Sequence, residues 1–342
     1  MKQRLEDYWY STAAVSPVSS APLGLASLGY RAGVSLRNSL YRTGVFPSRR
    51  IEGVRVVSVG NLTVGGAGKT PAVIYLAQKA ARAGQNVAVL SRGYGRSGSA
   101  PLSFRGSEGL PPPATAGDEP VLIAQRCPSA LLFVGANRAA GAVAARSAGA
   151  DLLLLDDGFQ HRSLARDLNI LVVDEATGFG NGHLLPRGPL REPLSALERA
   201  DLIWLRASSG AKASLPTFKQ PQVRALYEIG ALLAPDHASH GPRALEGRPV
   251  IALAAIARPE RFVRTLEALG MKVIAQRLFA DHHRFSSSEL AEVAGTAERL
   301  GALVLTTEKD AVRLPQGYSA WVARLEVRIV DGAATLESLL GL

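Results

Sequence analysis

One segment combines small residues, a lysine and a hydroxyl in the order that a phosphate-binding loop requires. It reads TVGGAGKT over 63–70. Small residues let backbone N–H groups close around phosphate oxygens, the lysine reaches the β- and γ-phosphates, and the hydroxyl binds Mg²⁺. The first position departs from the strict pattern, because a threonine stands where glycine is usual. The predicted nucleotide-binding residues are Thr63, Val64, Gly65, Gly66, Ala67, Gly68, Lys69 and Thr70.

A second candidate is the apolar run at 152–155, which ends in Asp156 and Asp157. A strand that ends in a carboxylate is typical of the Walker B element, which organises Mg²⁺ at the C-terminal edge of a sheet. Paired acids after a strand are also common turn formers. Given the loop upstream, we predict that at least one of these aspartates binds the metal together with Thr70.

Phosphoryl transfer to an alcohol also requires a group that accepts the hydroxyl proton. By residue type the candidates are Asp118 and Glu119 in the string GDEP, and His282 or His283 in the string DHHRF. Acid pairs are also favoured at helix N-termini by the helix dipole. Adjacent histidines are often surface residues. The residue types alone therefore leave the acceptor base open.

Alternating strands and helices position these residues. Short apolar runs separated by helical stretches predict a parallel sheet covered on both faces. The predicted strands are 54–59, 87–90, 130–134, 152–155, 170–173 and 202–205, with helices at 71–83, 119–126 and 138–148.

A second alternating unit follows a segment rich in Ser, Pro, Ala and Gly. That segment, 208–243, contains one extended run at 222–233 and is predicted to be a linker with a strand in it. The second unit comprises strands 250–254, 272–279, 303–306 and 321–327, and helices 259–269, 287–300 and 335–340. We therefore predict four parts: an N-terminal helical segment at 1–50, a core at 51–207, the linker at 208–243, and a smaller α/β domain at 244–342.

Composition limits the setting and the partners. The 342 residues carry a formal net charge of +10, which favours anionic partners such as nucleotides, nucleic acid or acidic lipid. The single cysteine, Cys127, excludes an internal disulfide and indicates a reducing compartment. No run approaches the roughly 20 apolar residues of a spanning helix, and the start lacks a secretory signal. We expect a protein on the cytosolic side that does not cross the membrane.

The first fifty residues have a character of their own. Leu25, Leu28, Ala32, Leu36 and Leu40 recur at helical spacing, and no acidic residue occurs between positions 31 and 50. A basic helix with an apolar stripe is typical of a helix lying in a membrane interface. It is also typical of a helix packed on its own domain, and both interpretations can hold at once.

Taken together, the motifs resemble the tetraacyldisaccharide 4'-kinase (lipid A 4'-kinase) family. Their order and spacing agree from about position 54 to 313, and several strings are distinctive of that family. The strings are GNLTVGGAGKTP at 60–71, SRGYGR at 91–96, GDEP at 117–120, DDGFQH at 156–161, LPRGPLREP at 185–193, DHH at 281–283 and TTEKD at 306–310.

The resemblance implies a reaction, a fold and a place. The family transfers the γ-phosphate of ATP to the 4'-hydroxyl of a tetraacylated glucosamine disaccharide 1-phosphate, with Mg²⁺, at the cytoplasmic face of the bacterial inner membrane. Its fold is a P-loop NTPase-like parallel sheet core joined by a β-ribbon linker to a smaller α/β domain. An N-terminal amphipathic helix would meet the anionic membrane surface. No nucleic acid and no obligate protein partner are expected.

The resemblance also implies roles by motif position. Asp118 would be the acceptor base, His282 would pair with it from the second domain, and Lys69 would cradle the phosphates. Thr70 with Asp156 or Asp157 would hold Mg²⁺. The remaining residues expected around the substrate are Glu119, Arg138, Gln160, Arg191 and Glu192.

Two other functions compete with the kinase. One is a P-loop NTPase of the GTPase or metallochaperone type, because the string TEKD at 307–310 looks like a guanine-recognition element. That string, however, follows a strand of the second unit rather than of the core. The other is a basic module that binds nucleic acid or membrane, although no basic stretch interleaved with aromatic residues is present.

Overall fold

The first part of the chain alternates strands and helices, as its apolar pattern predicts. The computed structural model describes residues 8–10, 17–208, 210 and 212–341. Helix α1 (Pro17–Arg42) precedes strand β1 (Arg55–Gly60) and helix α2 (Lys69–Arg82). The elements that follow are β2 (Val87–Ser91), β3 (Leu102–Arg105), α3 (Pro113–Ala116), α4 (Asp118–Arg126), β4 (Leu131–Val134), α5 (Arg138–Ser147), β5 (Leu152–Asp156), β6 (Leu168–Asp174) and β7 (Leu202–Arg206).

The second part begins with a long strand and then alternates again. Its elements are β8 (Gln222–Leu233), β9 (Ser239–His240), β10 (Pro249–Ala254), α6 (Pro259–Ala268), β11 (Lys272–Leu278), α7 (Ser287–Arg299), β12 (Leu303–Thr307), α8 (Glu308–Ala311), β13 (Trp321–Asp331) and α9 (Ala333–Leu340). The sequence did not predict β3, β9, α3 or α8, all of which have four residues or fewer.

All of these strands join one sheet. Within the described residues the sheet has 13 strands in the order β11-β10-β12-β13-β8-β7-β6-β1-β5-β2-β4-β3, with β9 beside β8. Neighbours pair in parallel except β3 with β4, β8 with β13, and β9 with β8. The predicted α/β class with a mostly parallel sheet is confirmed. The division into the parts 1–50, 51–207, 208–243 and 244–342 stays a prediction.

Strand β8 lies where the two halves of the sheet meet. It pairs in parallel with β7 over its first residues, Gln222 to Ala225. It then pairs antiparallel with β13 along nearly its full length, from Arg224 to Leu233. We call strands β1 to β7 and their helices the N-terminal lobe. We call strands β10 to β12 with helices α6 to α8 the C-terminal lobe.

The last helix, α9, packs on the N-terminal lobe although it follows the C-terminal lobe in sequence. Its buried residues Leu336 and Leu340 belong to the same apolar cluster as Val57 of β1 and Leu76 of α2. The chain therefore leaves the N-terminal lobe along β8 and returns to it along β13. We call this antiparallel pair the ribbon, and burial of α9 helps to hold it in place.

Helix α1 has one face packed on the protein and another face exposed to solvent. Val34 is buried, and Tyr30 and Asn38 donate hydrogen bonds to the segment that carries Arg191 and Glu192. Three leucines of the predicted stripe face outward: Leu25 is 73% exposed, and Leu28 and Leu36 are each 62% exposed, whereas Leu40 is half-buried. The helix is thus packed on its own lobe by one face and presents the apolar stripe on another.

We predict that Leu336→Ala lowers the free energy of unfolding by about 2–5 kcal/mol, because it leaves a cavity in the core of the N-terminal lobe. Urea unfolding of the whole chain measures the effect, with Ser338→Ala on the exposed face of α9 as the control. A loss no larger than that of the control would show that α9 does not contribute to this core.

Candidate functional site

The predicted phosphate-binding loop connects β1 to α2, as its pattern requires. Gly65 and Gly68 have φ angles of 100° and 94°, a left-handed backbone that favours glycine. Gly68 directly precedes α2, so the N–H groups of the first turn of α2 open toward the loop. Such a helix N-terminus attracts anions through its free N–H groups and its dipole.

Two glycines in the loop also leave room for the opposite side of the cleft. A Cβ on Gly66 would lie 3.1 Å from the Cβ of Ala257, and a Cβ on Gly68 would lie 2.6 Å from the ring of Tyr227. Tyr227 of β8 donates a hydrogen bond of 2.8 Å to the carbonyl of Gly68. The loop is therefore held from outside by the ribbon strand.

Thr63 explains why the first glycine of the strict pattern is dispensable here. It pairs with Leu190 in an isolated antiparallel bridge, so its backbone is extended rather than left-handed. The side chain of Asn61 donates to both the carbonyl oxygen and the hydroxyl of Thr63, at 2.7 and 3.1 Å. Thr63 thus anchors the start of the loop, and its contact with nucleotide stays a prediction.

Lys69 and Asp157 form a charged pair beside the loop. The Lys69 Nζ atom donates to Asn61 Oδ1 at 3.1 Å and lies 3.4 Å from Asp157 Oδ1. Arg191 Nη1 donates to both carboxylate oxygens of Asp157, at 2.8 and 3.0 Å. Burial acts to raise the pKa of Asp157, but Lys69 and Arg191 outweigh it and hold that pKa below its usual range. Asp157 is therefore ionised and paired with two cations, and its predicted contact with metal stays a prediction.

Asp156 differs from its neighbour in both contacts and charge environment. It is 2% exposed, and its Oδ1 atom has no hydrogen-bond partner among the described residues. Burial raises its pKa, and the nearby carboxylates of Glu119 and Asp157 raise it further. A buried carboxylate oxygen without a donor fits a hard cation such as Mg²⁺, and Thr70 lines the same cleft.

Asp118 and His282 meet across the two lobes. Asp118 is the first residue of α4, and His282 follows β11 with a φ of 64°. The distance between His282 Nδ1 and Asp118 Oδ2 is 3.1 Å. Arg313 Nη1 lies 3.3 Å from the same carboxylate oxygen. His282 lines the cleft, and Asp118 lies next to it with 14% of its side chain exposed.

His283 lies elsewhere, although it is adjacent in sequence. Its Nε2 atom is 3.1 Å from both carboxylate oxygens of Glu289, and its ring stacks on Phe279. Glu289 in turn forms a capping box with Ser286 at the start of α7. His283 therefore supports a helix end, and of the two histidines His282 is the one that contacts Asp118.

Lys309 is a site residue that the sequence analysis did not identify. Its Nζ atom lies 3.2 Å from both His282 Nε2 and Asp281 Oδ1, and 3.7 Å from Glu119 Oε1. Burial acts to lower the pKa of Lys309, but the Glu119 and Asp281 carboxylates raise it overall. The available signal was the string TEKD, which resembled guanine recognition.

The aspartate of that string, Asp310, has a structural role instead of binding a guanine base. Asp310 is fully buried and accepts hydrogen bonds from the Ala255 N–H and the Thr307 hydroxyl. Arg313 also contacts it. All of these partners belong to the C-terminal lobe, so the carboxylate fixes the turn that carries Lys309.

The residues surround a cleft of about 1080 Å³ between the lobes. Of the predicted residues, Thr63 and Glu192 are buried and Asp118 lies next to His282. The others line the cleft: Val64, Gly65, Gly66, Ala67, Gly68, Lys69, Thr70, Glu119, Arg138, Asp156, Asp157, Gln160, Arg191 and His282.

Glu192 connects the wall to helix α1. It is fully buried and accepts hydrogen bonds from Asn38 and Arg199, at 2.9 and 2.8 Å, with Arg37 3.4 Å away. Burial acts to raise its pKa, but Arg199, Asn38 and Arg37 lower it overall. Its predicted contact with substrate stays a prediction.

A phosphate-binding loop and a carboxylate–histidine pair on the two sides of one cleft define a P-loop kinase. The family model described as tetraacyldisaccharide-1-P 4'-kinase matches residues 20–341. The chain belongs to that family, as its motifs predicted.

Relatives with the same name extend over nearly the whole chain. The tetraacyldisaccharide 4'-kinase of Anaeromyxobacter dehalogenans (strain 2CP-C) is 46% identical over 98% of this chain and 94% of its own length. That of Syntrophus aciditrophicus is 42% identical over 85% of this chain and 83% of its own length. A crystal structure of LpxK from Aquifex aeolicus in complex with ATP has a TM-score of 0.78 and 32% identity, covering 95% of this chain and 98% of that one. These matches do not favour the GTPase alternative.

His161 makes the stability of the folded protein depend on pH. Burial and the neighbouring Arg138 and Arg166 lower the pKa of His161 to about 4. The unfolded chain therefore binds one more proton than the folded chain between about pH 6.5 and 4. The free energy of unfolding should therefore decrease as the pH is lowered through that window, by at most about 1.4 kcal/mol per pH unit from this residue.

We predict that His161→Gln makes the fall in stability between pH 6.5 and 4 shallower than in the wild type. Urea unfolding at several pH values measures the slope, and the exposed His240→Gln serves as the control. Equal slopes for wild type and His161→Gln would contradict a neutral His161 in the folded state.

Proposed function

We propose that this protein transfers the γ-phosphate of ATP to the 4'-hydroxyl of a tetraacyldisaccharide 1-phosphate. The observation that carries the proposal is the pairing of Asp118 with His282 across the cleft from the phosphate-binding loop, in a chain of the tetraacyldisaccharide-1-P 4'-kinase family. The acceptor hydroxyl would enter between these two sides.

The loop and Lys69 bind the polyphosphate. Free N–H groups at the start of α2 surround the phosphate oxygens, and the Lys69 ammonium is already positioned by Asn61 and Asp157. Little reorganisation is then needed when the nucleotide enters, which is the usual advantage of a preorganised cationic site.

Asp156 and Thr70 would hold Mg²⁺, and Asp157 would orient Lys69 and Arg191 instead. The donor-free Oδ1 of Asp156 supports this division, because both oxygens of Asp157 already accept hydrogen bonds from Arg191. When bound, Mg²⁺ neutralises charge on the β- and γ-phosphates during transfer.

Asp118 would take the proton of the acceptor hydroxyl. His282 and Arg313 both contact its Oδ2 atom, which leaves Oδ1 as the oxygen that receives the proton. A loose phosphoryl-transfer transition state asks little of the base beyond alignment and late proton removal, so a carboxylate held by two cationic or N–H groups suffices. Since Asp118 and His282 come from different lobes, movement of the lobes would assemble or open the site.

Helix α1 would place the site at the cytoplasmic face of the bacterial inner membrane. An acceptor with four acyl chains stays in a bilayer, and the outward leucines of α1 with Arg31 and Arg42 suit an anionic interface. No helix among the described residues is both long and apolar enough to span a bilayer. The other face of α1 bonds directly to the segment of Arg191 and Glu192, so a surface-bound helix would hold the cleft near the lipid.

We predict that Asp118→Asn and His282→Gln lower kcat by about 10²-fold or more, because both remove the acceptor base or its orientation. Lys69→Ala should abolish detectable transfer. The assay follows labelled γ-phosphate from Mg·ATP to tetraacyldisaccharide 1-phosphate in mixed micelles. The neighbouring His283→Gln is the control and should keep a rate close to that of the wild type. Wild-type-like transfer by Asp118→Asn would rule out this carboxylate as the base.

We predict that replacing Leu25, Leu28 and Leu36 with serine weakens binding to anionic vesicles by at least about tenfold, since it removes apolar area that would enter the interface. Vesicle co-sedimentation measures binding, and the thermal unfolding temperature should not change. Leu300→Ser, at a leucine 51% exposed on α7's C-terminal end, is the matched control. Unchanged vesicle binding would mean that this stripe does not contact the membrane.

A further inference from the structure

Three arginines share a single carboxylate at the edge of the cleft. Asp174 ends β6 and is 4% exposed. Its Oδ2 atom lies 2.5 Å from Arg261 Nη1, 3.4 Å from Arg258 Nη1 and 3.7 Å from Arg206 Nη1. Neither the reaction proposed above nor any sequence motif assigns a role to this cluster.

The cluster carries more positive charge than its partners neutralise. Among the described residues, the salt bridges of all three arginines end on Asp174. Two of the arginines also lie over aromatic rings: the Tyr10 ring lies 4.7 Å from Arg258, and the Tyr227 ring lies 5.0 Å from Arg206. Rings stabilise a cation without cancelling its charge. Three guanidinium groups and one carboxylate therefore leave a net charge of about +2, since arginine stays protonated.

The cluster lies beside the phosphate-binding loop. All three arginines line the cleft. A Cβ on Gly68 would lie 3.3 Å from Arg206 Cδ, and Ala257, which precedes Arg258, approaches Gly66. In the sheet, β6 neighbours β1 on the side opposite β5. The arginines thus flank the loop on the side away from Asp156 and Asp157.

We propose that Arg206, Arg258 and Arg261 form a second phosphate-binding site in the cleft, with Asp174 holding them in place until a phosphate arrives. One guanidinium group can donate two parallel hydrogen bonds to two oxygens of a phosphate, in a fixed geometry. It therefore suits this ligand better than a lysine ammonium group does. Arg206 belongs to the N-terminal lobe, whereas Arg258 and Arg261 belong to the C-terminal lobe. A phosphate bound by all three connects the lobes.

Two phosphates can occupy this site under the proposed function, on which this inference rests. One is a phosphate of the nucleotide, which the nearness of Gly66 and Gly68 favours. The other is the 1-phosphate of the acceptor. Both offer the same anionic oxygens, so binding measurements on each ligand must separate them.

The first experiment measures binding without turnover. Calorimetry with Mg·ATP gives one arm, and binding of acceptor-loaded micelles, with and without the 1-phosphate, gives the other. Arg258→Gln and Arg261→Gln are compared with Arg264→Gln, an exposed arginine on the same helix α6. We expect about tenfold weaker binding or more, because each change removes a charged hydrogen bond to phosphate. Weaker ATP binding identifies the nucleotide as the source, and weaker binding only of the 1-phosphate micelles identifies the acceptor.

A second variant distinguishes a binding site from a structural clamp. Asp174→Asn keeps an oxygen for the Ala176 N–H but removes the competing charge. The proposal expects tighter binding of ATP or of the 1-phosphate micelles, whereas a clamp that only joins the lobes loses stability and gains no affinity. The proposal is overturned if Arg258→Gln and Arg261→Gln bind both ligands as Arg264→Gln does, or if Asp174→Asn binds neither ligand more tightly. Because no arm requires transfer, a wild type that binds ATP yet makes no phosphorylated lipid contradicts the proposed function alone.

Discussion

The antiparallel pairing of β8 with β13 joins the two lobes in one sheet, and the cleft exists because of it. β8 begins as the parallel neighbour of β7 and continues as the partner of β13, so one strand belongs to both halves. Tyr227 of β8 holds the carbonyl of Gly68, and the N–H of Leu325 on β13 donates to Glu308. Glu308 in turn pairs with Arg126 at the end of α4 at 2.8 Å. The ribbon thus contacts both the phosphate-binding loop and the helix that carries Asp118.

Helix α4 is consequently tied to the C-terminal lobe at both ends. Asp118 at its start contacts His282 and Arg313, and Arg126 at its end contacts Glu308. Since Leu122, Ile123 and Ala124 of α4 belong to the core of the N-terminal lobe, movement of the lobes relative to each other would strain or break these contacts. The β8–β13 pair and its contacts therefore position both the acceptor side and the nucleotide side of the cleft.

Part of this arrangement could be predicted from the sequence, because it rests on local rules. The loop at 63–70 needs only small residues between a strand and a helix, and the apolar strands need only burial on both faces. The pairing of Asp118 with His282 came from the resemblance to a family, since nothing local relates residues 164 positions apart. Short elements such as β3 and β9 have too few residues for a periodic pattern.

Other features depend on tertiary contacts that no local pattern encodes. Asp174, Arg206 and Arg261 come from three elements and meet only when the sheet and α6 are assembled. Lys309 looked like part of a base-recognition string, because the burial of Asp310 cannot be read from its neighbours in sequence. The spacing of the leucines in α1 predicted a stripe, but only the packing of Tyr30 and Asn38 shows which way the stripe faces.

The central claim is that this cleft phosphorylates the 4'-hydroxyl of the lipid disaccharide, and identification of the product tests it most directly. Tetraacyldisaccharide 1-phosphate is incubated with Mg·ATP and the full chain, and the lipid is analysed by mass spectrometry and ³¹P NMR while ADP is measured in parallel. The account predicts a lipid with a second phosphate monoester, located on the 4' oxygen, in a one-to-one ratio to ADP. Release of ADP and inorganic phosphate with no change in the lipid, or phosphate on a different oxygen, would contradict it.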